Sequence, residues 1–293
     1  MGTDRDFRVL VATDGSAPAQ RAVATAVRFP WPARTRAQGV TARQVPADDS
    51  RSILLAALDR SANVIATGAR RALARRWPGA DVTIVNTAPV AGVLHEAKRF
   101  DADVIVLGWR GHGAVRRFLM GSVSRGVVRG ATCAVLVVRR GQRDVRRVVI
   151  GFDGSANAQR AVDFVGRLHP PRDGHVTLFT AVDQIGVPSH ALAPRGVGAT
   201  VAAEVRRINA ERTARAKKDL ARAEATLTRA GWRVRTTVTA GAPLHGLLAT
   251  VDAAGADLLV VGARGASGVR QLLLGSVADG ALNRCPVPVL MVR

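Results

Sequence analysis

The segments "RVLVATDGSAPAQRAV" (residues 8–23) and "RVVIGFDGSANAQRAV" (residues 147–162) are two versions of one pattern. Each begins with a short apolar run rich in valine, continues through Asp-Gly-Ser, and ends with apolar residues at helical spacing. This order predicts a buried β-strand, a turn and an α-helix. Because the unit recurs 139 residues later, the chain is an internal duplication.

The second half is longer than the first. The offset between equivalent residues is 139 at the first strand and 154 at Gly108 and Gly262, so the second half carries 15 extra residues (154 minus 139). We place them between Ala181 and a helix that begins near Glu204. The stretch "DQIGVPSHALAPRGVGAT" (residues 183–200) is rich in Gly and Pro, which predicts a long surface loop of the kind that forms lids elsewhere.

Each half alternates strands and helices. In the second half the patterns predict strands at 146–152, 175–182, 233–240, 257–263 and 287–293, and helices at 155–168, 203–231, 243–255 and 276–285. Such alternation is typical of an α/β fold with a parallel sheet and helices on both faces. We therefore predict two tandem Rossmann-like domains, residues 1–141 and 145–293, each with a five-stranded, mostly parallel sheet.

A second motif occurs once in each half: "GWRGHGAVRRFLMGS" (residues 108–122) and "GARGASGVRQLLLGS" (residues 262–276). Its first glycine directly follows an apolar strand, and ligands of open α/β sheets bind beyond the carboxyl ends of the strands. Glycine permits close backbone approach and positive φ. The helix that follows supplies N–H groups and a dipole that favour an anion. We expect Ser276 to cap this helix or to donate its hydroxyl to a phosphate.

The nine residues inside each motif are expected to arch over the ligand. Arginines within or beside the arch would add positive charge toward a phosphate. The candidates are Arg110, Arg116 and Arg117 in the first half, and Arg264 and Arg270 in the second.

An aspartate follows the first strand of each half. Asp14 and Asp153 can accept hydrogen bonds from ribose hydroxyls, as acidic residues do in other nucleotide-binding α/β folds. Alternatively, the Asp-Gly-Ser sequence only caps the next helix. The two interpretations are compatible, and both stay open at this point.

Together these motifs resemble those of the universal stress protein family over nearly the whole chain. The ATP-binding members of that family carry Gly-x2-Gly-x9-Gly-(Ser/Thr) and an aspartate after the first strand. The matching residues are Gly108, Gly111, Gly121, Ser122 and Asp14 in the first half, and Gly262, Gly265, Gly275, Ser276 and Asp153 in the second. The resemblance implies an adenine nucleotide alpha hydrolase-like fold and ATP as the ligand, with or without magnesium.

The resemblance further implies where adenine would lie and how the halves would pair. The adenine positions correspond to Ala12 and Ala42 in the first half, and to Gly151 and Ala181 in the second. The last strands, "CAVLVVRR" and "CPVPVLMVR", would pair within the chain, and a homodimer is a further expectation. Because Arg36 and Arg43 lie in the second strand of the first half, we expect the second site to be the better formed one.

The formal net charge is +21 and the sequence pI is about 11.8, which raises nucleic acid as a partner. The arginines that carry this charge are scattered along the chain, however, and scattered charge is typical of a solvated surface. No apolar run reaches the ~18 residues of a membrane span. The start of the chain lacks the apolar segment of a signal peptide, so we expect a cytoplasmic protein.

Motifs of other nucleotide enzymes and hydrolases are missing from the sequence. There is no Gly-Lys-Ser/Thr P-loop, no Gly-x-Gly-x-x-Gly after the first strand and no Gly-x-Ser-x-Gly elbow. Neither the six dispersed histidines nor Cys133 and Cys285 have the spacing of a zinc site. We therefore expect a nucleotide-dependent regulator or adaptor of the stress response rather than a fast enzyme. The alternatives are a slow ATPase and an arginine-rich nucleic-acid-associated protein.

Overall fold

A computed structural model of the chain describes residues 5–43, 52–111, 120–139, 144–186, 197–265 and 274–293. Most of the two nine-residue arches, including Arg116, Arg117 and Arg270, falls outside these ranges. The central part of the extra segment of the second half, residues 187–196, also lies outside them. The lid interpretation therefore stays a prediction.

The first half alternates strands and helices from its first described strand to its last. Its strands are β1 (Phe7–Ala12), β2 (Thr35–Ala42), β3 (Val82–Val85), β4 (Val104–Gly108) and β5 (Ala134–Val138). Its helices are α1 (Ala17–Arg28), α2 (Ser52–Ala74), α3 (Pro89–Arg99) and α4 (Ser122–Gly130).

The second half repeats this order. Its strands are β6 (Arg147–Gly151), β7 (His175–Val182), β8 (Arg233–Ala240), β9 (Leu258–Gly262) and β10 (Val289–Val292). Its helices are α5 (Ala156–Arg167), α6 (Val197–Arg229), α7 (Pro243–Ala253) and α8 (Ser276–Arg284). The strands predicted at 175–182 and 233–240 coincide with β7 and β8, and the others differ from the structure by one or two residues at their ends.

The ten strands of the described ranges form one sheet in the order β3-β2-β1-β4-β5-β10-β9-β6-β7-β8. Within each half every pairing is parallel, whereas β5 and β10 pair antiparallel with Leu136 opposite Leu290. Two clusters of buried apolar residues cover the two faces of the sheet, as parallel strands require. The predicted α/β fold with a mostly parallel sheet and helices on both faces is confirmed.

The start of α6 differs from the prediction. The helix begins at Val197 rather than near Glu204, so the C-terminal end of the segment predicted as a loop is helical. Gly198 in its first turn disfavours a helix by about 1 kcal/mol relative to alanine. Extending an existing helix is easier than starting one, and Ala202 in the added turns is buried, as is Val205 just after them. Packing and propagation therefore override the local composition.

An aromatic contact joins the two halves beneath the sheet. Phe7 of β1 stacks on Trp31 with ring centroids 5.8 Å apart, and Phe164 of α5 meets Phe7 edge to face at 5.7 Å. Phe7 is 3% exposed and Phe164 is 6% exposed. Since Phe7 and Phe164 belong to different halves, their contact is a direct probe of how the halves pack.

Replacing Phe7 or Phe164 by alanine is expected to lower the free energy of unfolding by about 3–5 kcal/mol each, because each change leaves a cavity. The double variant should cost less than the sum, by about 0.5–1.5 kcal/mol, since the aromatic contact is lost only once. Denaturant unfolding measures the three values. A matched control combines Phe164→Ala with Leu107→Ala on the opposite face of the sheet, which should be additive. Additivity of the Phe7–Phe164 pair would contradict this packing.

Candidate functional site

The turn after the first strand is built alike in both halves. The side-chain oxygen of Ser16 accepts a hydrogen bond from the N–H of Ala19 at 3.3 Å, and Ser155 caps α5 in the same way through Ala158 at 3.2 Å. The glycine between aspartate and serine has positive φ in both halves (77° and 75°), a conformation that an L side chain rarely adopts. Serine, and not aspartate, is therefore the cap of the first helix.

The aspartates stabilise this turn with one oxygen. Oδ1 of Asp14 accepts a hydrogen bond from the N–H of Ser16, and Oδ1 of Asp153 accepts one from Ser155, both at 3.0 Å. Oδ2 faces the glycine motif. A Cβ atom on Gly265 would lie 2.7 Å from Oδ2 of Asp153, and one on Gly111 would overlap Oδ2 of Asp14. The structure thus brings each aspartate and the second glycine of its motif into contact.

The first glycine of each motif is required by helix packing. A Cβ atom on Gly108 would lie 2.8 Å from the carbonyl carbon of Pro18, in the first turn of α1. The equivalent atom on Gly262 would lie 2.9 Å from the carbonyl carbon of Asn157 in α5. Glycine here lets a helix start approach a strand end, which is a different role from the phosphate approach expected from the sequence.

The third glycine closes the arch. The N–H of Gly121 donates to the carbonyl of Trp109, and that of Gly275 donates to Ala263, each at 3.0 Å. The positive-φ glycines of the described residues are Gly15, Gly154, Gly231, Gly241 and Gly255. The described motif glycines are absent from this set, so close approach and not backbone conformation is what requires glycine there.

The helices that follow the arches start without a side-chain cap. The N-caps of α4 and α8 are Gly121 and Gly275, and neither has a side-chain hydrogen bond to the first turn. Ser276 is the first residue inside α8, so its prediction as N-cap is wrong by one position. Ser122 and Ser276 are both exposed. The first-turn N–H groups lack intrahelical acceptors and face the edge where the aspartates lie, which suits an anion.

The small residues named for adenine lie across the same edge. In the first half β1 is between β2 and β4, so Asp14 is flanked by Ala42 on one side and Gly108 on the other. The second half places Asp153 between Ala181 and Gly262 in the same way. Since neighbouring strands are about 4.8 Å apart, the flanking positions are about 10 Å apart.

Ala12 and Gly151 end the central strands and lie beside these positions. Their neighbours along the chain are held by the sheet, because the N–H of Thr13 donates to Val40 and that of Phe152 donates to Phe179. A Cβ atom on Gly151 would lie 3.3 Å from Leu247 of α7. The predicted positions of each half thus converge on one end of its sheet.

The two sites differ next to the second strand. In the first half Arg43 follows Ala42, forms an ion pair with Asp59 of α2 and donates from Nε to Asn86 at 3.0 Å. The equivalent residue in the second half is Val182, which is buried. Arg36, the other arginine suspected of disturbing the first site, pairs with Asp6 at the opposite end of β2 and lies away from it.

A cavity of about 420 Å³ lies beside α6 in the second half. It is lined by Gln184, Asn209, Ala210, Thr213, Ala214 and Lys217. None of these residues was named from the sequence, because Gln184 belongs to the segment predicted as a loop and α6 was interpreted as a packing helix. Oδ2 of Asp219, further along α6, lies 3.5 Å from the Cβ position of Gly154, so the helix extends from the cavity to the second site.

The described residues offer little nucleophilic or metal chemistry. Burial raises the pKa of the Cys133 and Cys285 thiols to about 11, so both are neutral near pH 7. No group of three or more His, Cys, Asp or Glu side chains within the described ranges is arranged to hold a metal ion. His95 and His245 are exposed on α3 and α7.

The buried carboxylate of the first half belongs to a structural cluster. Glu96 is 2% exposed and accepts hydrogen bonds from Gln38, Thr83 and Arg99. The hydrogen bond from Arg99 is the main cause that lowers the pKa of this carboxyl.

Among the helices whose residues the structure describes, none combines the length and hydropathy that spanning a bilayer requires.

The relatives found by comparison with known proteins are universal stress proteins. Universal stress protein Rv2005c of Mycobacterium tuberculosis is 27% identical over 265 residues, covering 80% of this chain and 77% of that protein. Universal stress protein Slr1230 of Synechocystis is 26% identical over 196 residues, covering 66% and 58%. A universal stress protein from Archaeoglobus fulgidus has the same fold, with a TM-score of 0.67 at 18% identity over 98% of both chains.

The family match extends over both halves. The model of the universal stress protein family matches residues 7–139 and again residues 144–293. The two matches meet within a few residues of the predicted boundary between the halves. The chain therefore belongs to the universal stress protein family and carries two copies of its domain in tandem.

Proposed function

We propose that the protein is a nucleotide-dependent regulator that binds ATP at one site in each half. The observation that carries the proposal is the convergence, twice in one chain, of three features at the carboxyl edge of the sheet. These are an aspartate carboxylate, glycines at positions too crowded for a Cβ atom, and a helix start without a side-chain cap. Each feature alone is common, and their repeated combination favours a phosphate ester of a sugar.

The nucleotide would lie across three neighbouring strands. Its phosphates would accept hydrogen bonds from the first-turn N–H groups of α4 or α8, next to Arg110 or Arg264. Its ribose would contact Asp14 or Asp153, and its base would pack near Ala42 or Ala181. The separation of about 10 Å between the flanking strands suits a ligand with a phosphate group at one end and a flat base at the other.

Magnesium would reach the site with the phosphates. Mg²⁺ keeps several waters and is commonly held by one or two carboxylates together with substrate phosphates. Asp14 and Asp153 are the carboxylates next to the proposed phosphate positions. They suit such a shared role better than that of a dedicated metal cage.

Binding rather than turnover is the proposed role. Rapid hydrolysis needs a group that activates water within hydrogen-bond reach of the phosphate. Asp14 and Asp153 use one oxygen for the turn, and the two thiols are neutral near pH 7. We propose that bound ATP fixes the arch and the neighbouring surface, and that this surface is what a partner recognises. A slow ATPase is the second candidate, and turnover that survives the double change Asp14→Ala and Asp153→Ala would place it outside these sites.

Association of the halves and of whole chains belongs to the same proposal. The pairing of β5 with β10 would keep the two sites in one rigid unit. Since that pairing uses the last strand of each half, a homodimer would need another surface, such as the exposed strand β8. The single and double alanine variants of Phe7 and Phe164 test the packing of the halves. Analytical ultracentrifugation measures the molecular mass and so distinguishes a monomer from a homodimer.

Thermal unfolding with ATP tests the proposal directly. At a free concentration of 100 Kd each occupied site should add about 2.7 kcal/mol to the free energy of unfolding. Gly265→Val should remove the contribution of the second site, because its side chain displaces the Asp153 carboxylate. The matched control is Gly68→Val, where a Cβ atom meets nothing within 4 Å. If neither ATP nor AMP raises the Tm, the proposal is wrong.

A change of Asp153 to asparagine distinguishes a role of this residue in ribose binding from its role in the turn. Asp153→Asn keeps an oxygen for the Ser155 N–H but loses the charge that a ribose hydroxyl would bind. We expect ATP affinity at the second site, measured without Mg²⁺, to fall about tenfold, or about 1.4 kcal/mol, with unchanged affinity for inorganic tripolyphosphate. Calorimetry on the Gly111→Val chain, which retains only the second site, measures both. Equal losses for both ligands would contradict a ribose contact.

The net charge makes nucleic acid the third candidate. Binding driven by phosphate contacts must weaken steeply as salt rises. On the proposal above, the protein should show no more than weak, sequence-independent affinity for duplex DNA, lost by 200 mM salt. Fluorescence anisotropy across a salt series checks this expectation. Affinity that persists at 200 mM salt would favour the nucleic-acid function instead.

A further inference from the structure

Two equivalent arginines cross the boundary between the halves. Arg139 and Arg293 directly follow β5 and β10, and they are 154 residues apart, as the motifs are. Nη1 of Arg139 donates to the carbonyls of Asn283 at 2.9 Å and Cys285 at 3.1 Å. Nη2 of Arg293 donates in turn to the carbonyls of Val128 and, at 3.1 Å, Arg129. Each arginine therefore binds carbonyls of the opposite half.

The carbonyls that the arginines hold belong to the helices of the candidate sites. Val128 and Arg129 are in the last turn of α4, and Asn283 and Cys285 are at the end of α8. Each helix has nine residues and is therefore about 13 Å long. A cation on the last carbonyls satisfies acceptors that the helix leaves open and complements its dipole. One end of each helix thus faces its own site, and the other end is held by the opposite half.

In the first half a tryptophan connects the motif to the same place. Trp109 lies between Gly108 and Arg110, and its Nε1 donates to the carbonyl of Leu282 in α8 at 3.0 Å. The guanidinium of Arg139 lies 3.9 Å from the centroid of its ring, and that of Arg110 lies 4.1 Å from it. The motif arginine and the crossing arginine therefore share one aromatic ring.

In the second half the connection is electrostatic. Ala263 replaces the tryptophan, and its N–H donates to the carbonyl of Val292 at 2.7 Å, so Arg264 and Arg293 lie at adjacent strand ends. Burial is the larger cause that lowers the pKa of Arg293, and repulsion from Arg264 adds to it. In both halves the arginine inside the motif is thus close enough to influence the arginine that holds the opposite helix.

We propose that the two sites are coupled, with Arg139 and Arg293 as positioning residues that each hold the ligand-binding helix of the other half. This rests on the proposed nucleotide binding. A phosphate at the second site draws Arg264 toward itself and relieves its repulsion of Arg293, whose hold on α4 then strengthens the first site. A phosphate at the first site acts through Arg110, Trp109 and Arg139 on α8. The coupling is therefore positive and runs in both directions.

Coupling is measured first without changing the arginines. Gly111→Val leaves only the second site and Gly265→Val leaves only the first. Isothermal calorimetry with ATP then compares each single-site chain with the natural chain. We expect each remaining site to bind ATP at least fivefold more weakly than it does beside an occupied neighbour. Unchanged affinity in both single-site chains would overturn the coupling.

The arginines are then tested for action across the boundary. In the chain that retains the first site, Arg293→Ala should weaken ATP binding about five- to tenfold, although Arg293 belongs to the second half. In the chain that retains the second site, the same change should have at least a threefold smaller effect, and Arg139→Ala should show the reverse pattern. Arg293→Lys should restore part of the affinity, because lysine can still donate to one carbonyl.

The outcomes separate this inference from the proposed function. If neither single-site chain nor the natural chain binds ATP, the proposed function is wrong. If the chains bind ATP but each arginine affects both sites equally, or mainly its own, the arginines only stabilise the fold and the assignment is wrong. Should an alanine variant fail to fold, the lysine variants and the comparison of single-site chains still decide the question.

Discussion

Backbone contact between a strand end and a helix start is the constraint on which each site depends. At Gly108 and Gly262 the first turn of the first helix of the same half, α1 or α5, lies too close for any Cβ atom. This approach brings the serine cap and the aspartate close to the second glycine of the motif, because the serine and the aspartate lie at the helix start and the two glycines lie at the strand end. A side chain at either position would move the aspartate away from the arch and open the site. Gly108 and Gly262 therefore shape the site indirectly, by the position of the helix that each of them contacts.

The sequence predicts the parts of this arrangement that repeat. Two copies of the strand–Asp-Gly-Ser–helix unit and of the glycine motif predict the α/β fold, its mostly parallel sheet and the edge where the sites lie. Local patterns could not determine which glycine contacts what, since that depends on helix placement. They also could not place the start of α6, where helix propagation and the burial of Ala202 outweigh a poor local composition. The cavity beside α6 was missed for the same reason.

The halves differ next to the proposed base position and at the boundary between them. Arg43 with Asp59 in the first half is replaced by Val182, and Trp109 is replaced by Ala263. The motif glycines, the aspartates and the serine caps are the same in both halves. The groups proposed to hold phosphate and ribose are thus duplicated, as are the crossing arginines Arg139 and Arg293, whereas Arg43 and Trp109 are each present in one half only. Such a pattern suits two sites that bind one class of ligand with unequal affinity and whose binding is coupled.

The large positive charge has a structural use that the composition hides. Arg76 donates to the carbonyls of Val27 and Phe29 at the end of α1, and Arg8 donates to Phe100 at the end of α3 at 3.1 Å. With Arg139 and Arg293, four helix ends are held by an arginine from another element. A guanidinium suits this role better than an ammonium, because its planar fork reaches two carbonyls at once and is more weakly hydrated. These four arginines therefore contribute to the stability of the fold, because each satisfies carbonyl groups that a helix end leaves open.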